Sequence, residues 1–313
     1  ENMPEVRKAP ALKPDTLIFE VSEVLIQVGS TPNQSVLFSD LTSEEVRWLR
    51  SLRTRRARLK RLSQREEEIL RLLDAVNLTS PVTSPLENLD VRIIGLDRVG
   101  IRLAHLLARA GVHSLELAGA GLVDGEVEDL FPRDSLSKER RVELRRTIKA
   151  HRPTFLIQKL AHPDLVIACS DRVWDPGLTG TLLSQDINHL PVVKEQDSIT
   201  VGPLVAPGVT ACSACLDFTI QDRIPTWSKM ALALEREPLD PVPDHMCAAA
   251  AGLAVAMVES VALGLPPVEG GEAIGRVGGP SYSWRVSKSG VTAEEWLPHP
   301  ECSCLNGVSQ TAA

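Results

Sequence analysis

Residues 91–94, Val-Arg-Ile-Ile, run straight into Gly95-Leu96-Asp97-Arg98-Val99-Gly100, and this junction limits the fold more sharply than any other feature of the chain. A short apolar run that ends on glycine, followed by a capping side chain, reads as a strand turning directly into a helix. The helix is predicted over 99–110, with Gly111 closing it, and a second apolar run follows at 114–117. Two strands joined through a helix lie parallel, and a parallel sheet has to be covered on both faces. The rhythm continues with a basic-rich helix over 136–150, a strand over 164–169, strands over 191–193 and 198–205, and a long Ala-rich helix over 243–263. A closing hairpin is predicted from 281–286 and 291–296 around Ser289-Gly290. Residues 88–313 are therefore expected to form a layered α/β domain. With aromatics at only 4%, its core has to be built mainly from Leu, Val, Ile and Ala.

The chain before residue 88 has a different pattern. Short β-type runs at 16–21, 23–28 and 35–38 are broken by the turn cluster 29–33. Thr42 with Glu45, and Ser63 with Glu66, have capping-box spacing and open two amphipathic helices. Strand, strand, strand, helix, helix over 15–76 suggests a small winged-helix-like α+β domain. Residues 1–14 read as a disordered lead-in, and the polar, proline-punctuated segment 77–87 reads as a linker.

Charge and cysteine usage narrow the function classes. The net charge of −7 argues against binding of nucleic acid or an anionic membrane by the whole chain. The dense basic stretch 47–61 is the exception, and it keeps a DNA-binding regulator as an alternative, although Glu66-Glu67-Glu68 soon follows. No run reaches the roughly 18 apolar residues of a membrane span; the Ala-rich stretch 247–265, interrupted by Gly252, Glu259 and Gly264, reads as a buried helix. The expected compartment is the cytoplasm. Four of the six cysteines form two close pairs, Cys212-x-x-Cys215 and Cys302-x-Cys304, which suits a metal better than disulfides in a reducing compartment. Four thiolates make a closed tetrahedral zinc site, structural and without chemistry of its own, with His299 as an alternative ligand. Cys169 and Cys247 lie in apolar runs and read as buried small hydrophobes.

The glycine loop bears on nucleotide binding. In the G-x-G-x-x-G turn the first glycine makes the turn, the second lets phosphate approach the backbone, and the third permits close helix–strand packing. Gly95 and Gly100 fill the first and third places, but Asp97 stands in the second. Its carboxylate is expected to face the position a polyphosphate would take on the helix N-terminus, and it is also an N-cap candidate.

Taken in order, VRIIGLDRVGIRLAHLLARAGVHSLEL, HPDLVIACSD, VGPLVAPGVTACSACLDF and HPECSC resemble the ThiF/MoeB superfamily of ubiquitin-activating-like adenylating enzymes over about residues 88–305. Within it they resemble the actinobacterial ThiF-like proteins related to partners of azoline-forming cyclodehydratases. The stretch VGSTPNQSVLFSDLTSEEVRWLRSL resembles the small winged-helix domain that binds leader peptides. The resemblance implies a Rossmann-like fold, a homodimer, a peptide or protein substrate and, in active members, adenylation of a C-terminal carboxylate with MgATP. Gly95 and Gly100 match the glycine loop, Asp171 the metal-binding aspartate, and Arg133 the catalytic arginine; helix 138–149 offers phosphate-contacting lysines. Two departures oppose ATP binding besides Asp97. The second strand ends in Ala118 where the family has an acid for the ribose, and 124–129 carries four acidic residues. The favoured reading is a ThiF-like protein with an eroded nucleotide site that binds a peptide or small protein and presents it to a partner enzyme. An ATP-dependent adenylating enzyme is the alternative. The apolar segment 247–263 is the surface expected to bury in the dimer.

Overall fold

In the computed structural model the described residues run from 11 to 304, without 14–15, 23–24, 54–62, 77, 81–84, 266, 269–270 and 276. The chain divides into two units, Glu1–Ser84 and Pro85–Ala313.

The first unit begins with a short strand β1 (Ala11–Leu12), followed by β2 (Ile18–Ser22), β3 (Leu25–Thr31) and β4 (Gln34–Phe38), which form a three-stranded antiparallel sheet in that order. Helices α1 (Ser43–Arg53) and α2 (Gln64–Ala75) and a second short strand, β5 (Thr79–Ser80), complete it. The Ser63 box is formed as expected: Ser63 Oγ accepts from the Glu66 amide and Glu66 accepts from the Ser63 amide, satisfying two orphan donors of the first turn. Ile26, Val28, Phe38, Leu49, Leu52, Ile69 and Leu73 close into its own core. Residues 11–12, read from sequence as lead-in, instead pair with 79–80, read as linker. Most of the basic stretch 47–61 lies outside the described residues; within them, Arg50 is paired with Glu20.

The second unit is built on an eight-stranded sheet. In chain order it contains β6 (Asp90–Ile94), α3 (Arg98–Ala110), β7 (Ser114–Ala118), α4 (Arg140–His151), β8 (Leu156–Ile157), β9 (Leu165–Asp171), α5 (Pro176–Ser184), β10 (Asn188–Lys194) and β11 (Ser198–Val201). Helices α6 (Ser213–Arg223), α7 (Trp227–Leu234) and α8 (Asp244–Ala262) and the hairpin β12 (Ser281–Ser287) and β13 (Gly290–Trp296) follow. The strand order is β13-β12-β11-β10-β9-β6-β7-β8. The five strands from β10 to β8 are parallel, and the three on the other side are antiparallel. This is a Rossmann-like arrangement. From β6 the chain moves outward to β7 and β8, then returns to the opposite side of β6 as β9, so the order reverses at β6 and β9. Ligands of open α/β sheets sit beyond the carboxyl ends of strands at such a reversal.

Helix α3 shows how the sequence sets the core. Val99, Ile101, Leu103, Ala104, Leu107 and Ala108 are buried, Asp97 caps the start, and Gly111 at φ 97° ends the helix by donating to the Leu107 carbonyl. Helix α8 packs against α3 and the sheet, burying Met246, Cys247, Ala250, Ala251, Ala254, Val255, Met257 and Val258. By length and composition, α8 could cross a membrane, with a mean hydropathy of 1.5, but its apolar side is part of this core. Within 247–263, Cys247, Ala250, Ala251, Ala254, Val255, Met257 and Val258 are buried in this core, while Ala249, Ala256 and Leu263 remain exposed.

Candidate functional site

Gly95 leaves the end of β6 at φ 90°, a conformation that favours glycine, and a side chain there would collide with the Cys169 carbonyl. A side chain on Gly100 would collide with the Gly95 carbonyl. Close packing of strand and helix therefore accounts for both glycines without any ligand.

Asp97 directs its carboxylate at the first turn of α3. Oδ1 accepts the Gly100 amide at 2.9 Å, which confirms the cap, and Oδ2 lies 2.7 Å from Lys194 Nζ. Lys194 ends β10 directly opposite Asp171, which ends β9, and Nζ is also 2.7 Å from Asp171 Oδ1. The lysine side chain is 10% exposed. Burial opposes its charge, but the carboxylates of Asp97 and Asp171 outweigh that penalty and hold its pKa above the ordinary lysine value. The positive end of α3 at the sheet's reversal thus already holds an anion, the protein's own, and that anion holds a cation. Two of the residues singled out from sequence, Asp97 and Asp171, are brought together by Lys194, which sequence reading missed. Nothing local marks this lysine; its role depends on the register of β9 with β10.

The expectation of a repelling acidic segment at 124–129 is corrected. Arg140, on the first turn of α4, donates to both Asp124 oxygens at 3.0 Å, to Glu126 at 3.3 Å and to the carbonyls of Leu122 and Leu96. Arg98 holds Asp129 and, with Arg102, Asp244. Of the four acids only Glu128 has no ionic partner among the described residues. Arg133 sits exposed on a short 3-10 turn and makes no ion pair among the described residues. The basic helix is largely a solvated, internally paired face: Lys138 and Arg146 meet Asp134, and Arg141 meets Glu139. Ala118 ends β7 as expected, and the nearest acid on that strand, Glu116, is committed to Arg92 at 2.9 Å and to the Leu160 amide.

The four paired cysteines converge. Cys212 and Cys215 flank the start of α6, Cys302 and Cys304 follow β13, and their sulfurs all lie within 4.8 Å of one another. The separations are 3.8 Å for Cys212–Cys215, 3.6 Å for Cys212–Cys302 and 3.5 Å for Cys215–Cys304. Tetrahedral zinc with Zn–S near 2.3 Å requires sulfurs about 3.8 Å apart, so the cluster fits such an ion. His299 is engaged elsewhere: Nε2 meets Asp222 at 3.1 Å, Nδ1 accepts the Glu301 amide, and the ring stacks on Phe218. Cys247 is buried beneath the sheet's reversal, and desolvation pushes its thiol up to about 11, the wrong direction for a nucleophile.

No protein-family model matches the chain, and no curated protein matches it. Solved structures do. MccB of E. coli with MccA aligns with a TM-score of 0.63 at 14% identity, covering 95% of this chain and 99% of that one. The microcin C7 biosynthetic enzyme MccB in complex with N-formylated MccA aligns at 0.62 and 13% identity, with the same coverage. PaaA aligns at 0.59 and 15% identity, covering 91% of this chain and 99% of its own. MccB has also been solved with ATP, again at a TM-score of 0.62 and 14% identity. At these identities the likeness establishes a shared fold.

Proposed function

We propose that this chain is a ThiF-like peptide-binding protein whose nucleotide site has become self-occupied, and that it presents a peptide or small protein to a partner modifying enzyme. The observation that carries the reading is the Asp97–Lys194–Asp171 cluster: the helix N-terminus that would receive phosphate is capped by a carboxylate neutralised from within. Zinc held by Cys212, Cys215, Cys302 and Cys304 is structural, tying the segment after β13 to α6. The winged-helix-like first unit captures the peptide by strand addition, which relies on main-chain hydrogen bonds at a free sheet edge. β2 is such an edge among the described residues, and Leu17, Phe19 and Val21 are exposed along it. The likeness to MccB solved with MccA supports a peptide ligand.

The test is selection of extended peptides from a displayed library against the whole protein. Peptides that bind without nucleotide, and are lost on Phe19→Asp, are expected. Enrichment only with MgATP, or none at all, contradicts the reading.

The second reading, an adenylating enzyme, is favoured by two observations. Asp171 remains 52% exposed at the strand end where a metal-binding aspartate is expected, and Arg133 is exposed with no ion pair among the described residues. It requires Lys194 to release Asp97 and Asp171 when MgATP arrives.

A further inference from the structure

A cavity of about 450 Å³ lies between the antiparallel half of the large sheet and helices α6 and α7. Its apolar wall is formed by Trp174, Trp227 and Trp296 with Leu216, Ile220 and Leu234, and polar and charged side chains line the rest. Two of the tryptophans are fixed in place. Trp227 Nε1 donates to Asp217 at 2.8 Å, and Trp296 Nε1 donates to Ser283 at 2.8 Å. With these two N–H groups satisfied inside the protein, the Trp227 and Trp296 indoles can offer only ring surface. Trp174 and Trp227 stand 6.3 Å apart at 57°, a tilted pair.

The carboxylates at the cavity are both paired, and of its guanidinium groups only Arg172 lacks a carboxylate partner among the described residues. Glu195 pairs with Arg285 at 2.7 Å, Arg223 pairs with Glu294 at 2.6 Å, and the Arg172 guanidinium is bound to the carbonyls of Glu237 and Pro238. A cationic ligand would find no free carboxylate here, and the one charge without an ionic partner among the described residues, Arg172, donates to carbonyls. A flat, uncharged ring would find pre-organised partners and lose little entropy beyond its own. Glu294 and Trp296 belong to β13, the edge strand of the sheet, which pairs only with β12 among the described residues. An extended peptide laid along that edge sends alternate side chains to one face.

We infer that this cavity is a specificity pocket for a neutral aromatic side chain of the captured peptide. This rests on the peptide-binding reading. Calorimetry with the full protein tests it, using N-acetyl-phenylalaninamide and two blocked pentapeptides that differ only in a central Phe or Ala. The Phe pentapeptide is expected to bind at least tenfold more tightly than the Ala version and more tightly than the amide. Trp227→Phe should keep that preference, and Trp227→Ala should abolish it. Ile224→Trp, which fills the cavity from an exposed wall position, should abolish it with no change in thermal unfolding. Equal affinity of the two pentapeptides, or no effect of Ile224→Trp, overturns the inference; amide binding as tight as the Phe pentapeptide overturns the peptide as its source. If the Phe probes fail while library peptides still bind through Phe19, only the pocket falls. If the Phe pentapeptide binds as expected and Phe19→Asp changes nothing, capture by the first unit falls and the pocket stands.

Discussion

Asp97 does with one carboxylate what a bound phosphate does in a nucleotide-binding turn: it satisfies an amide of the first turn of α3 and places negative charge at the positive end of the helix. Lys194 then supplies the counter-charge. Asp97→Ala loses the cap, about 1 kcal/mol, and leaves a nearly buried ammonium with one partner instead of two, so a total near 3 kcal/mol is expected in chemical denaturation. Asp97→Asn keeps an acceptor for the Gly100 amide and should cost clearly less. Equal costs for the two variants would mean that the cap contributes nothing. The capping role of Asp97 could be read from the sequence because it is local, three residues from the amide it meets. The ion cluster could not, because it joins residues of β9, β10 and the α3 turn that only strand register brings together. For the same reason the acids at 124–129 read as a repelling patch when their arginines, Arg140 and Arg98, lie on other elements.

Among the elements, the four-cysteine cluster and the α3–α8 clamp carry the clearest expectations. Elemental analysis of gently purified protein should find about one zinc per chain, as a closed four-thiolate site requires. Cys212→Ser should lower stability far more than Cys247→Ser, since one removes a ligand and the other a single buried thiol. Metal-free protein with four freely reactive thiols would refute the site. Asp244, at the start of α8, bridges Arg98 and Arg102 of α3. Hydrogen bonds from Arg102 and then Arg98 hold its carboxyl below the usual aspartate range. A carboxylate whose pKa is lowered on folding contributes stability above its unfolded value, near 3.8, and that contribution is lost as pH falls through the lower folded value. Asp244→Asn should therefore destabilise by up to about 1 kcal/mol at neutral pH, the group being half exposed, and the difference from wild type should shrink below about pH 4. A constant difference down to pH 2 would rule out the clamp. Strongly patterned elements, such as α3 and the β12–β13 hairpin, were legible in the sequence. Helices α5, α6 and α7 were not: Gly, Thr and Ser dilute α5, and α6 spreads its few apolar residues without a clear stripe because it is organised by cysteines and by the cavity rather than by the main core.

On the scale of the whole molecule, a Rossmann-like sheet with an antiparallel extension has its ligand position at the β6–β9 reversal and fills that position with its own side chains. The fold shared with MccB and PaaA does not by itself carry their chemistry, because function resides in the site. The most direct measurement is titration of MgATP into the purified protein by calorimetry, run beside pyrophosphate exchange with peptides that the protein captures. The predicted result is no exchange and no saturable heat at micromolar nucleotide. Micromolar MgATP affinity that Asp171→Ala abolishes, together with robust exchange, would contradict the self-occupied site and restore the adenylating enzyme.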